Sequence, residues 1–234
     1  GDCQQACKFD SITIVDGSAT FPNAARWQTV TSETPNFTVQ ADGGMAPGSL
    51  IEFELTVADD DTSFASTFID FLSPVEPVFE EGFETGAPGW THGATLGSDT
   101  WDVGAPRVFA NQWDPEEVFS GSNLIGNDLN PDQWNTDGLY DNDSNCWLQS
   151  PAIDCSESVG THLIFRRWLC TETSLYDHAI IEVNGVQIWE NEGGNNNHHL
   201  DRMWVPVAYD ISAIADGNAN VRVKFLMESD AGWK

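Results

Sequence analysis

An all-β chain is predicted, built as a β-sandwich or jelly roll. Short runs of alternating apolar residues recur along the chain, with Gly, Asn, Asp or Pro clusters about every ten residues, the texture of sandwiches and jelly rolls. Asn184-Gly185 between two such runs signals a type I′ hairpin, because both turn positions must accept positive φ. Only Ile211–Ala215 invites a helical turn.

The elements follow in order. Ile12 and Ile14, then Phe37 and Val39, mark half-buried strands. The clearest is Ile51, Phe53, Leu55 and Val57, which alternate with Glu52, Glu54 and Thr56. Asp59-Asp60-Asp61-Thr62 turns the chain into a further strand, Phe64–Leu72, and reads as a solvated tip. Ser73-Pro74-Val75-Glu76-Pro77 breaks the pattern, because two prolines in so short a run make a stiff connector rather than a paired strand. The expected division is therefore residues 1–73, a linker at 74–78, and 79–234. In the second part the expected strands are Val78–Glu84, Thr100–Val103, Val118–Ile125, Cys146–Ile153, His162–Cys170, His178–Val183, Val186–Glu190, Met203–Tyr209 and Asn220–Met227.

Composition removes several function classes. Of 234 residues, 37 are Asp or Glu and 9 are Lys or Arg, giving a formal net charge of −28. Nucleic-acid backbones and anionic membranes repel such a surface. A disordered acidic chain is excluded by 40% hydrophobic residues with 10 Trp and 13 Phe, enough apolar surface to form cores. No apolar run approaches the roughly 20 residues that span a bilayer, so membrane insertion is not expected. The start, Gly1-Asp2-Cys3, has neither an initiator Met nor a basic and apolar leader, and reads as a mature or cut chain.

Five cysteines in this setting suit an oxidising, extracellular compartment, although the odd number prevents complete internal pairing. If Trp147–Ile153 and His162–Leu169 form one antiparallel hairpin, Cys146 and Cys170 stand opposite each other as a disulfide pair. Cys3 and Cys7 are the other disulfide candidates, and Cys155 is free or joined to them.

The stretch Gly126–Asn145 holds five Asp and five Asn and no Lys, Arg or Glu. Asp and Asn compete for the backbone and favour turns, so this is a loop, and one made of oxygen ligands suited to a hard cation such as Ca²⁺. It is not an EF-hand. After Asp141-Asn142-Asp143-Ser144-Asn145, Cys146 replaces the required glycine and Ala152 stands where the bidentate Glu belongs. His198, His199 and Asp201 follow a Gly- and Asn-rich tip, a poor frame for the fixed tetrahedron of zinc. There is no Gly-x-Ser-x-Gly elbow, no His-Glu-x-x-His and no Gly-rich phosphate loop, so no catalytic residues are nominated and the chain is not expected to be an enzyme. Most tryptophans lie in or beside strands, but Trp113 and Trp134 lie in polar loops and are the candidates for stacking on a sugar. Arg166 and Arg167 alternate across a strand, so one faces solvent and the other must be satisfied on the opposite face.

Gly82-Phe83-Glu84-Thr85-Gly86, Gly89-Trp90-Thr91-His92-Gly93, Asp99-Thr100-Trp101, Ser120-Gly121-Ser122-Asn123 and Gly126-Asn127-Asp128-Leu129 occur in that order. They continue into Leu148-Gln149-Ser150-Pro151, Phe165-Arg166-Arg167-Trp168, Tyr176-Asp177-His178, Tyr209-Asp210-Ile211-Ser212 and Ser229-Asp230-Ala231-Gly232. Together, over residues 79–234, they resemble bacterial jelly-roll modules similar to MAM and cleaved-adhesin domains, which are appended to secreted peptidases. Ile12–Pro22 and Pro47–Val57 resemble the later strands of a CARDB-type immunoglobulin-like module.

The resemblance implies Glu84 and Asp99 as calcium ligands with Asn123 close by, while turn chemistry adds Asp128 and Asp177. It implies a secreted, calcium-stabilised adhesion or binding region that meets a glycan or an extracellular protein. Relatives continue into a closing strand that this chain does not contain. An open sheet edge would let a strand from another chain complete the fold, giving self-association or a structural subunit as the alternative.

Overall fold

The computed structural model describes residues 2–7, 12–23, 31–32, 37–41, 49–58, 62–72, 76–106, 114–129, 139–194 and 198–232; the side chains of residues 2–7, 64 and 66 are not described. The chain divides into two compact units, Gly1–Glu76 and Pro77–Lys234. It is nearly all β, and among the described residues every pairing between strands is antiparallel.

In the first unit the strands are β1 (Asp2–Cys7), β2 (Ile12–Asp16), β3 (Ser18–Thr20), β4 (Thr38–Ala41), β5 (Leu50–Ala58) and β6 (Ser63–Phe71). They form a sheet in the order β3-β1-β5-β6 and a separate β2-β4 pair. The alternation in β5 works as its sequence suggests at one end, where Ile51 and Phe53 join Ile12 in a small core, with Phe53 stacked on Phe68 at 4.9 Å. It fades at the other end, where Val57 is exposed.

The second unit contains β7 (Thr91–Leu96), β8 (Trp101–Gly104), β9 (Leu124–Asn127), β10 (Asn145–Gln149), β11 (Ile153–Cys155), β12 (His162–Arg167), β13 (Cys170–Thr171), β14 (His178–Val183), β15 (Val186–Glu190), β16 (His199–Leu200), β17 (Val205–Asp210), helical turn α1 (Ser212–Ala215), β18 (Asn218–Val221) and β19 (Val223–Glu228). A five-stranded sheet runs β15-β14-β19-β10-β7, with the shorter pairs β12-β17, β11-β18, β13-β16 and β8-β9. Ile181, Val183 and Val223 of the large sheet pack against Cys155, Ile211, Ala215 and Val221, with Leu163, Phe165 and Tyr209 alongside, so the core lies between layers as in a sandwich. The predicted hairpin is present: Asn184 and Gly185 both take positive φ, at 50° and 77°, between β14 and β15.

Several expected strands end early. Ser150-Pro151 interrupts Cys146–Ile153, because proline cannot continue the ladder, and Ser150 bonds Val223 on leaving it. Val78–Glu84 is not a strand, and only Glu84 makes an isolated bridge, to Gly86. Val118–Ile125 is strand only from Leu124 onward. Thr91–Leu96, not expected, is the edge strand β7.

The hairpin proposed to join Cys146 to Cys170 does not form. Cys146 lies in β10 between β19 and β7, whereas the expected partner segment, β12, pairs with β17. Among the described residues Cys146, Cys155 and Cys170 form no disulfide, and the side chains of Cys3 and Cys7 lie outside the described residues. Burial pushes the Cys146 and Cys170 thiols up, the latter to about 11, which keeps them protonated and unreactive.

Candidate metal centre

Strand order decides which end of the sheet gathers carboxylates. β14, β19 and β10 are neighbours, with His178 and Asn145 both opposite Glu228. The residues just beyond the ladder, Asp177 before β14, Ser229 and Asp230 after β19, and Ser144 before β10, therefore emerge at one edge. Glu172 joins them from the turn after β13, which folds back by bonds from the Tyr176 and Asp177 amides to the Thr173 carbonyl, 3.0 and 3.2 Å. Carboxylate oxygens of Glu172, Asp177 and Asp230 lie within 4.8 Å of one another.

Asp177 is completely buried and forms the floor. Its Oδ2 accepts the Tyr140 hydroxyl at 2.5 Å, and its Oδ1 accepts the Asp230 amide at 2.9 Å. The Tyr140 oxygen accepts the Glu172 amide at 3.2 Å. Burial, then the bond to Asp177, raises the Tyr140 pKa, so the phenol stays a neutral donor.

The approach of Gly232 to this group is local: its amide donates to Asp230 Oδ1 at 2.5 Å, and a Cβ there would stand 2.7 Å from that oxygen and 3.5 Å from Glu172 Oε2, so only glycine fits against the carboxylates. The Thr171 hydroxyl is wholly buried beside the Tyr140 phenol. Oxygen donors from separate segments are the donor set of Ca²⁺ rather than of zinc. Like charges this close repel, and a divalent ion converts that repulsion into coordination.

Among the described residues the five sequence-nominated residues do not form one carboxylate cluster. Asp177 alone joins the three-carboxylate group. Glu84 is exposed, and its Oε1 accepts the Ser122 and Asn123 amides at 2.8 and 2.9 Å, which hold its carboxyl below the usual range. Glu84 thus meets Asn123 through the backbone, with the carboxylate pinning the 120–123 turn. Gly121 in that turn has φ +71°, and an added Cβ would lie 2.3 Å from Glu84 Oε1. Gly121→Ala therefore lowers stability by about 1–3 kcal/mol, read as a lower denaturation midpoint.

Asp99 Oδ2 pairs with His92 Nδ1 at 2.8 Å. Asp128 is buried at φ +57°, its amide bonded to the Thr100 carbonyl at 2.8 Å. Trp113, Trp134 and Asp59–Asp61 lie outside the described residues. His199 reaches Asp201 at 3.1 Å, but that carboxylate is also held by Arg167 at 2.9 Å, which leaves it a poor zinc ligand.

Glu172 was not nominated from sequence. Asp230 appeared only within a motif, and its position beside Asp177 in strand order was the missing signal.

This chain is similar to Bacillopeptidase F of Bacillus subtilis (strain 168), with 28% identity over 161 residues, 66% of this chain. That stretch is 10% of the relative, so the chain spans about a tenth of the length of the curated protein it matches. No protein-family model and no solved structure matches. Among the described residues, no helix is long and apolar enough to cross a membrane.

Proposed function

We propose that this chain is a non-catalytic, calcium-stabilised, extracellular binding region of a larger secreted protein, whose loops meet a glycan or another protein. The observation that carries the reading is the convergence of Glu172, Asp177 and Asp230 from three separate segments, with carboxylate oxygens within 4.8 Å of one another. These residues would hold the ion, and the ion would supply charge neutralisation and a cross-link between the ends of β14 and β19. The partial likeness to a peptidase over a tenth of its length supports a non-catalytic region attached to an enzyme. The strong acidity and the protonated thiols support it too.

Thermal melting tests the calcium reading. At a free Ca²⁺ concentration about 100 times Kd, stability rises by about 2.7 kcal/mol, a melting shift of roughly 5–10 °C for a domain of this size. An identical melting temperature in calcium and in chelator would sink it.

A second reading, strand addition, draws on β6. It pairs with β5 over nine consecutive residues and with no other described strand, and it carries neither Lys nor Pro to blunt its outer edge. Sedimentation should then show concentration-dependent association that Thr67→Lys abolishes. A monomer at all concentrations would end this reading.

A further inference from the structure

We propose that the outer face of the five-stranded sheet binds a neutral glycan, with the Trp147 indole as the stacking platform and Gln149, Lys224 and Glu182 as the hydrogen-bonding rim. This rests on the binding-region reading above, naming the partner and the surface, and it is independent of the metal centre. Alternation along the strands turns Leu148, Ile181, Val183, Val223 and Met227 inward, where they are buried. Their neighbours face outward and are only partly buried. The register sets Trp147 of β10, Leu226 of β19 and Ile180 of β14 side by side on that outer face, with the row Gln149, Lys224 and Glu182 next to them. Beside Trp147 on the edge strand β7 stands Gly93, where a Cβ would come within 3.1 Å of the indole. Its φ lies outside the left-handed region, so the ring and not the backbone calls for glycine. Gly93 thus lets the indole lie over the edge strand as a flat apolar plate.

The two polar flanks of the apolar row differ. Toward Asn145 the groups satisfy one another: Asn145 Nδ2 donates to Glu228 Oε1 at 2.7 Å, and His178 Nδ1 meets Glu190 Oε1 at 2.6 Å. On the other flank, no side-chain hydrogen bond or ion pair among the described residues uses Gln149 or Glu182. Lys224 Nζ lies 5.3 Å over the Trp147 ring, although Glu182 stands directly across from Lys224 in the ladder. An amide, an ammonium and a carboxylate are thus left unspent along one edge of an aromatic plane. A pyranose matches this pattern, with an apolar C–H face for the indole and a rim of hydroxyls that both donate and accept. Charge selects against acidic glycans, because Glu182, Glu190 and Glu228 share this face of a chain whose formal net charge is −28. Size selects against a protein. With strands about 4.8 Å apart the apolar row is only about 10 Å long, which covers far less than the roughly 800 Å² per partner of a stable protein interface.

An NMR titration of the full chain with cellohexaose, mannohexaose and xylohexaose, run in calcium and in chelator, tests this, with a hyaluronan oligosaccharide as the acidic comparison. At least one neutral probe should shift the Trp147 indole N–H and the amides of β10, β14 and β19 to saturation, equally in chelator, and the hyaluronan oligosaccharide should not. Trp147→Ala should weaken that binding by about tenfold or more, and Glu182→Gln and Gln149→Ala by about three- to tenfold each. Asn145→Ala, on the self-satisfied flank, should stay within about twofold of the parent. The rim variants leave the apolar row intact, so they decide the matter even where Trp147→Ala folds poorly. Binding that leaves the Trp147 indole signal unmoved, or that survives both rim variants, would overturn this surface and spare the binding-region reading. No saturable shift with any neutral probe, or tighter binding of the hyaluronan oligosaccharide, would overturn the neutral-glycan assignment and leave protein binding as the remaining arm of that reading.

Discussion

Replacing Asp177 by alanine should cost about 3–5 kcal/mol even in chelator, because it strands the buried Tyr140 hydroxyl and the Asp230 amide at once. The same substitution removes the floor of the candidate metal centre. Asp177→Asn separates the two effects. It keeps an oxygen to accept the Asp230 amide and preserves the volume, but it withdraws the charge a divalent ion needs. Its denaturation midpoint in chelator should lie much nearer the parent's than the alanine variant's does, and it should gain little on adding calcium. An asparagine variant with the parent's full calcium response would show that the ion sits elsewhere.

Asp201→Ala should be at least as damaging. Asp201 is 8% exposed and accepts Arg167 through Nε at 2.9 Å and a terminal nitrogen at 3.2 Å, the Leu169 amide at 2.8 Å and His199 Nε2 at 3.1 Å. Its removal leaves the Arg167 guanidinium, only 17% exposed and 5.1 Å over the Trp189 ring, without its carboxylate, at a cost of about 3–5 kcal/mol. Arg167→Met in the same background should recover part of the loss, since the cost lies mostly in the stranded charge.

The carboxyl also carries a pH signature. Burial pushes its pKa up, but hydrogen bonds from His199 and Arg167, the Arg167 charge and the Leu169 amide outweigh burial and hold it below the usual range. A pKa lowered by folding contributes stability that is present above the unfolded value of about 3.9 and is lost as pH falls through the folded value. The parent should therefore lose this increment on acidification below about pH 4, and Asp201→Ala should show a shallower acid limb in the same range. Parallel limbs would contradict the assignment.

Local chemistry was legible in the sequence, and long-range pairing was not. Asn184-Gly185 specified its own turn, because the requirement for two positive φ angles is contained in two residues. Ile51 and Phe53 displayed their buried face by alternation. The Cys146–Cys170 bridge failed because it required neighbours in sequence to be neighbours in the sheet, whereas β10 takes β19 and β7 as partners. Pro151 was the local warning that this run could not be one strand. Glu84 and Asn123 do meet, but through a carboxylate and backbone amides, a role that side-chain chemistry alone does not display. The candidate metal centre was least visible, since Asp177 and Asp230 meet through the register that sets His178 opposite Glu228, and Glu172 reaches them from the turn after β13. Asp177 was nominated from its turn, while its partners needed the strand order.

The most direct test is a crystal structure of the chain grown in calcium, with anomalous scattering used to locate the ion. The account predicts a calcium peak coordinated by oxygens of Glu172, Asp177 and Asp230. A well-ordered centre without a peak there, or calcium found only beside Glu84 and Asn123, would contradict it.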